Sequence, residues 1–181
     1  MRFSYHTEQQ LPYPVEQVFA FFADPDNLPL LMPAWQQARI EQQTLAPPPP
    51  RPNPSSPQIP AAGVGSHLTL SFRPFPFAPF RLRWQAEITE FAWYGHFCDV
   101  QLRGPFAYWK HCHYVRPFSQ SGIDATLIVD DVEYEIPFGI AGEIAHRLLL
   151  RRQIERTFAY RHAQLARMLT LVVPASQPVV R

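Results

Sequence analysis

Two imidazoles and a carboxylate, those of His111, His113 and Asp130, are the side chains best placed for acid–base chemistry in this chain. They lie in residues 107–115 and 126–136, two stretches that alternate in side-chain character with period two and therefore predict half-buried strands. All three fall on the face that is otherwise apolar. Polar groups aimed at an apolar interior are costly unless they meet one another, water or a ligand. This face therefore indicates a pocket.

The two strands are expected to form an antiparallel hairpin, because Pro117, Ser119 and Gly122 in their connection favour a turn. The register that we expect pairs residues across the hairpin as follows: Trp109 with Val132, His111 with Asp130, His113 with Ile128, and, on the solvated face, Lys110 with Asp131 and Tyr108 with Glu133.

The three polar residues have two interpretations. In the functional one, Asp130 orients His111, which acts as an acid or base on a bound carbonyl or enol, so His111 and Asp130 are the candidate catalytic pair. In the structural one, they form a buried network that fixes the register of the sheet, with His113 bonded to water or backbone. No Ser, Cys or Thr occupies a recognisable nucleophile turn beside a base, so acyl-enzyme chemistry is not expected.

A metal site is a weaker hypothesis. His96 and Cys98 are two residues apart, as are His111 and His113, so four soft ligands converge on zinc if their strands are neighbours with matching parity. No standard zinc motif is matched, and we predict neither a metal nor a cofactor. Cys98 and Cys112 are the only cysteines and are expected to be buried free thiols in a reducing compartment.

Aromatic side chains are expected to supply most of the pocket wall, with Phe97 among them, although each of them alone is equally suited to a core position. Arg161, late in the last helix, approaches an anionic ligand group or pairs with Asp99; the alternative is an ordinary helix-surface arginine. The full set expected to line the pocket is Trp35, Trp84, His96, Cys98, Trp109, His111, His113, Tyr134, Phe158 and Arg161.

The order of elements predicts an α+β fold. Strands are expected around residues 3–7, 39–45, 66–73, 80–91, 94–102, 107–115 and 126–136, short helices after Pro14 and over Leu28 to Met32, and a long helix from about Ile140 to Thr170. The long helix carries an apolar stripe made of Ile144, Leu148, Phe158, Leu165 and Leu169. An antiparallel sheet cannot bury one face alone, so this helix should lie across its concave side and leave a tunnel.

Residues 46–62 hold a run of prolines that cannot join a sheet ladder. We expect a surface loop between two strands; the alternative is a proline motif that recruits an SH3-like partner.

The composition is that of a soluble globular protein. The chain has 181 residues, of which 46% are hydrophobic and 17% charged, and its net charge of +1 gives no reason to expect nucleic-acid binding. The N-terminus has no apolar leader, and no apolar run approaches the ~20 residues of a membrane span. These features predict a cytoplasmic location.

Several motifs resemble the START/polyketide cyclase-dehydrase-like superfamily (SRPBCC). They are VFAFFADPDNL at 18–28, MPAW at 32–35, WQAEITE at 84–90, FCDVQLRGPF at 97–106, WKHCH at 109–113, DDVEY at 130–134, PFG at 137–139 and FAYR at 158–161. The resemblance spans Phe3 to about Leu169. It implies a helix-grip fold, with a curved antiparallel sheet of about seven strands wrapped on a long C-terminal helix. One ligand-binding domain is expected over 1–172, with a tail at 173–181.

The resemblance specifies the fold more sharply than the activity, because one cavity serves carriers and enzymes alike. The leading prediction is binding or carriage of a hydrophobic small molecule (a lipid, polyketide-like or isoprenoid ligand) by a monomer or weak homodimer. The alternatives are a cyclase or dehydratase that uses His111 with Asp130, and an accessory interaction protein that uses the proline-rich loop.

Overall fold

The computed structural model describes residues 1–53, 59–120, 123–139, 142 and 146–172. Seven strands form one antiparallel sheet in the order β1-β7-β6-β5-β4-β3-β2. The strands are β1 (Arg2–Leu11), β2 (Arg39–Thr44), β3 (His67–Phe72), β4 (Leu82–Ala92), β5 (His96–Arg103), β6 (Tyr108–Gln120) and β7 (Ile123–Glu135). From β3 onward, every strand is hydrogen-bonded to the strand that precedes it along the chain, and β1 closes against β7.

The helices lie at the two ends of the chain. Helix α1 (Val15–Ala23) is followed by two 3-10 helices, Pro25–Leu31 and Ala34–Gln36, and a long helix α2 (Arg151–Val172) follows a π-helical turn at His146–Leu150. The curved sheet, the short helices between β1 and β2 and the long C-terminal helix confirm the expected helix-grip fold. None of the described helices is long and apolar enough to cross a membrane.

The hairpin of β6 and β7 has a different register from the expected one. His113 lies opposite Asp130, His111 opposite Val132 and Trp109 opposite Tyr134, a shift of two residues. The strands continue through Pro117 to Gln120 and restart at Ile123, so the connection is shorter than the turn formers indicated. Because β5 pairs with β6 only as far as Tyr114, the missing N–H of Pro117 breaks no ladder on that side. A shift of two preserves the faces, so the polar trio still points to one side.

The face of the sheet that meets α2 is apolar, as the alternation in β3 and β4 predicts. Leu68 and Leu70 of β3 are buried there, and so are Ala86 and Ile88 of β4. On the opposite side, α1 and α2 bring Phe19, Leu165 and Leu169 into the core, where each side chain is almost fully buried. The sheet forms one layer and the helices form the other, and the candidate site lies in the space between them.

The stripe of α2 begins later than expected. Phe158, Leu165 and Leu169 are buried, but Leu148 is 65% exposed, and Ile144 lies outside the described residues. The π-helical turn ahead of α2 contains an extra residue per turn, and this rotates Leu148 away from the face that a continuous α-helix would give it. Ile154 is the buried residue that continues the stripe.

The proline-rich segment is attached to the β4–β5 hairpin. The indole Nε1–H of Trp93 donates a hydrogen bond to the Pro49 carbonyl oxygen at 2.6 Å, and the Arg51 guanidinium lies 4.8 Å from the centre of the same indole. Further along, Gly63 N–H donates to the Ala46 carbonyl. Residues 54–58 lie outside the described residues, and a role for the segment in recruiting a partner stays a prediction.

Candidate functional site

A cavity of about 410 Å³ lies between the concave face of the sheet and α2. Its wall is mostly aromatic and aliphatic, with contributions from α1, the first 3-10 helix, β3, β4, β5, β6 and α2. Ligand pockets in proteins commonly have volumes of about 300–1,000 Å³ and a predominantly apolar lining with few polar groups. The size and lining of this cavity therefore suit an apolar guest.

Aromatic rings make up one wall. Trp84 of β4 and Trp109 of β6 meet edge to face with ring centroids 4.9 Å apart, and Phe106 packs on both rings. Phe158 of α2 also lines the cavity. Such rings offer a large contact area and lose little conformational entropy on binding, so this wall suits a flat or acyl guest with few polar groups.

A buried polar network interrupts this apolar wall. Oδ1 of Asp130 lies 3.0 Å from Nε2 of His111 and 2.5 Å from Nδ1 of His113, and all three side chains are at least nine-tenths buried. The two imidazoles line the cavity, whereas Asp130 lies behind them. Oδ2 of Asp130 has no hydrogen-bond partner, and Nε2 of His162 on α2 is 4.0 Å from it. In the register of the sheet only His113 lies directly opposite Asp130, yet the His111 ring contacts the same carboxylate oxygen.

The ionisation states of this network follow from burial and charge. Burial alone raises the pKa of Asp130, but the Arg161 guanidinium, the interaction with His113 and the imidazole hydrogen bonds outweigh burial and hold the pKa well below its ordinary value. Burial, with further lowering by His111 and Arg161, lowers the pKa of His113 to about 3. Asp130 is therefore an anion and His113 a neutral imidazole at neutral pH. An ionised carboxylate only accepts, so both ring nitrogens that face it donate.

Asp99 and Arg161 add a carboxyl group and a guanidinium to the same wall. Asp99 of β5 lies 3.9 Å from Nδ1 of His111, and burial raises its pKa, against the opposing effects of His111 and Arg161. The Arg161 guanidinium carbon lies 5.1 Å from the Phe22 ring centre, and its Nη2 is 3.5 Å from Nδ1 of His113. The Nε of Arg161 is buried without a hydrogen-bond partner. Several polar side chains therefore lie at this end of the cavity, where they face its interior.

The structure brings six of the residues expected to line the pocket into the cavity wall: Trp84, Trp109, His111, His113, Phe158 and Arg161. Their part in binding or catalysis stays a prediction. Trp35 is instead an exposed residue of the second 3-10 helix, where the neighbouring Gln36 turns inward and lines the cavity. Tyr134 is buried outside the lining, because its ring packs on Trp109 and its hydroxyl bonds to Nε2 of His146 at 2.8 Å.

His96 and Cys98 were expected in the cavity wall and instead lie on the other face of the sheet. The bulky Phe97 takes the inward position of β5, together with Asp99, so its neighbours point to the convex side. There His96 is 3.6 Å from a Glu90 carboxylate oxygen. The quartet of soft ligands considered from the sequence therefore does not converge, because half of it lies on each face.

The two cysteines are not free thiols. Cys98 and Cys112 lie directly opposite each other on β5 and β6 and form a disulfide on the convex face. Their separation of 14 residues gave no indication of this, because the pairing depends on the register of the two strands. A disulfide is the expected state only where the compartment permits oxidation.

Sequence reasoning missed several polar residues of the site. His162 of α2 lies beside Asp130, His146 bonds Tyr134, and Gln36 lines the cavity. Asp99 was considered only as a partner for Arg161. The signal that would have placed it is its parity with Phe97, since residues two apart on a strand share a face.

The sequence matches the family model described as polyketide cyclase / dehydrase and lipid transport over residues 11–162. Among solved structures, norcoclaurine synthase from Thalictrum flavum is similar, with a TM-score of 0.59 and 16% identity over 93% of this chain and 87% of that one. The protein TTHA0849 from Thermus thermophilus gives a TM-score of 0.62 and 15% identity over 94% and 99%. Ara h 8.0201 gives 0.59 and 9% over 94% and 99%. No curated protein matches the chain. At these identities the structural likeness establishes the fold alone.

Proposed function

The chain belongs to the polyketide cyclase / dehydrase and lipid transport family, and we propose that it binds and carries a hydrophobic small molecule in the cavity between the sheet and α2. A lipid, a polyketide-like compound or an isoprenoid fits this description. The observation that carries the proposal is the cavity of about 410 Å³ with its aromatic and aliphatic wall. Removing apolar surface from water contributes about 25 cal/mol per Å², so an apolar guest of this size would bind without many polar contacts.

The proposal is tested by native mass spectrometry of the purified protein after incubation with a long-chain fatty acid, an isoprenoid alcohol and an aromatic polyketide. We expect a complex with one guest per chain for at least one of the three, and loss of the guest under denaturing conditions. If all three guests leave the native mass unchanged, and the protein as purified also carries none, the carrier proposal is wrong.

A second candidate function is conversion of the guest by a cyclase or dehydratase reaction. The observation that favours it is the 3.0 Å contact between His111 Nε2 and Asp130 Oδ1 in the cavity wall. With Asp130 ionised, His111 would accept a proton from a carbonyl compound at its second nitrogen while the carboxylate stabilises the imidazolium that results. His111 would be the catalytic residue and Asp130 the residue that positions it.

The two functions differ in what His111→Gln does. An enzyme would lose turnover of a polyketide-like substrate by about two or more orders of magnitude while keeping guest binding. A carrier would show no turnover in either form. If the variant lowers the free energy of unfolding and the wild-type protein converts none of the guests that it binds, the pair is structural and the enzyme candidate is rejected.

A further inference from the structure

We propose that Asp99, His111 and His113 bind a divalent transition-metal ion at the polar end of the cavity. One ligating atom from each residue lies within 4.8 Å of the other two, and all three side chains line the cavity. The set differs from the quartet considered from the sequence, because it draws its third ligand from the inward face of β5. It stands apart from the carrier function, since an apolar guest needs no metal to bind.

The orientation of the imidazoles supports this site. Both rings point one nitrogen at Oδ1 of Asp130, Nε2 in His111 and Nδ1 in His113. Each of these nitrogens carries the hydrogen that it donates, so the other nitrogen of a ring that holds a single proton presents a lone pair. Histidine ligands of metals are commonly held in this way by a carboxylate behind them, which fixes the tautomer and the ring orientation. Here a single buried carboxylate holds both rings.

Asp99 supplies the third ligand. Its carboxylate has its only ion-pair contact among the described residues with Nδ1 of His111, at 3.9 Å, which is too long for a hydrogen bond. Nδ1 of His111 and a carboxyl oxygen of Asp99 therefore face each other across a gap that a cation would fill. Tetrahedral ligands at ~2.0–2.1 Å from zinc lie roughly 3.3 Å apart, so binding requires the side chains to move inward by about 1 Å.

The charges around the site permit a cation. Asp99 and Asp130 contribute up to two negative charges, whereas Arg161, with Nη2 at 3.5 Å from His113, contributes one positive charge. The guanidinium weakens the attraction of the site for a metal, whereas the ionised forms of the two carboxyl groups strengthen it. Two imidazoles and a carboxylate suit zinc, iron or nickel, and they leave positions open toward the cavity.

The test is a titration of the untagged, disulfide-bonded protein with Co²⁺, followed by its visible absorption, and with Zn²⁺, followed by calorimetry. Keeping the disulfide oxidised removes the Cys98 and Cys112 thiolates, which stand near Glu90 and would otherwise compete for the metal. We expect one ion per chain. Asp99→Asn should weaken binding at least about tenfold, because a neutral amide replaces the anionic ligand.

The control variant is His6→Gln on the exposed face of the sheet. His6 has carboxylate neighbours of its own, Asp131 at 2.6 Å and Glu8 at 3.4 Å, so it represents a surface group that takes up metal non-specifically. The proposal is overturned if the wild-type protein binds no ion or if Asp99→Asn binds the ion as tightly as wild type. It is also overturned if His6→Gln weakens binding as much as Asp99→Asn does. Guest binding by Asp99→Asn, measured by native mass spectrometry, reports separately on the carrier function.

Discussion

At the scale of single residues, one carboxylate oxygen organises the polar end of the cavity. The alternation of β6 and β7 was enough to predict that His111, His113 and Asp130 share an inward face, because a strand has a period of two. It was not enough to predict that Asp130 lies opposite His113, since the register depends on where the hairpin turns. The alternation also did not reveal His162, which reaches the network from α2.

Removing the charge of Asp130 should destabilise the fold. Asp130→Asn keeps the shape of the side chain but replaces a buried anion that accepts from two imidazoles, so we expect the free energy of unfolding to fall by about 2–4 kcal/mol in urea denaturation. Asp131→Asn is the matched control, because the neighbouring side chain is 49% exposed and pairs with His6, and its substitution should cost less than ~1 kcal/mol. Equal effects of the two substitutions would contradict a structural role for the buried network.

Stability should also fall as the pH is lowered from about 6.5 toward 3. The folded protein holds the pKa of His113 at about 3, against an ordinary value of 6.5, so the unfolded chain takes up this proton first. His162, whose pKa burial also lowers, acts in the same direction. Each such group contributes up to ~1.4 kcal/mol of lost stability per pH unit within its window.

Urea denaturation at pH 7, 6 and 5 measures this slope. His113→Gln should flatten the dependence on pH, whatever it does to the stability at pH 7. A slope that is unchanged in this variant would show that His113 is not held neutral by the fold.

At the scale of elements, the pattern of polar and apolar residues predicted the inward face of β3 and β4 but not that of β5, where the size of Phe97 determines it. Leu68 and Leu70 of β3 and Ala86 and Ile88 of β4 alternate with polar residues, so the inward face of those strands was predictable. In β5 the polar and apolar residues do not alternate cleanly, and the large ring of Phe97 takes the inward position. Because neighbouring residues of a strand point to opposite faces, His96 and Cys98 then lie on the convex face.

The disulfide follows from that orientation and should stabilise the hairpin of β5 and β6. Cys98 and Cys112 are 14 residues apart, and a cross-link that closes a loop of this size contributes about 3 kcal/mol in the chain-entropy model. We expect reductant to lower the thermal midpoint of the wild-type protein and to leave that of a Cys98→Ala/Cys112→Ala variant unchanged. A thiol titration that finds two reactive cysteines in the unfolded, unreduced protein would contradict the cross-link.

At the scale of the whole molecule, the sheet and α2 enclose a space rather than packing into each other completely. The apolar stripe of the helix and the apolar face of the sheet were enough to predict that they meet. The sequence could not give the size of the cavity, because volume depends on the packing of Trp84, Trp109 and Phe158 and on the phase of α2, which the π-helical turn changes. The proposed carrier function depends on this volume.

The most direct test of that function fills the cavity. Ala86 lies in the cavity wall, so Ala86→Phe places a ring inside the cavity. The control is Ala163→Phe, which adds the same ring to the exposed side of α2. The measurement is the affinity of both variants and of wild type for the neutral probe N-phenyl-1-naphthylamine, followed by its fluorescence, after circular dichroism has shown that all three are folded. We predict saturable binding at one site in wild type and in Ala163→Phe, and at least about a tenfold loss in Ala86→Phe. Equal binding by both variants, or no saturable binding by wild type, would contradict a guest in this cavity.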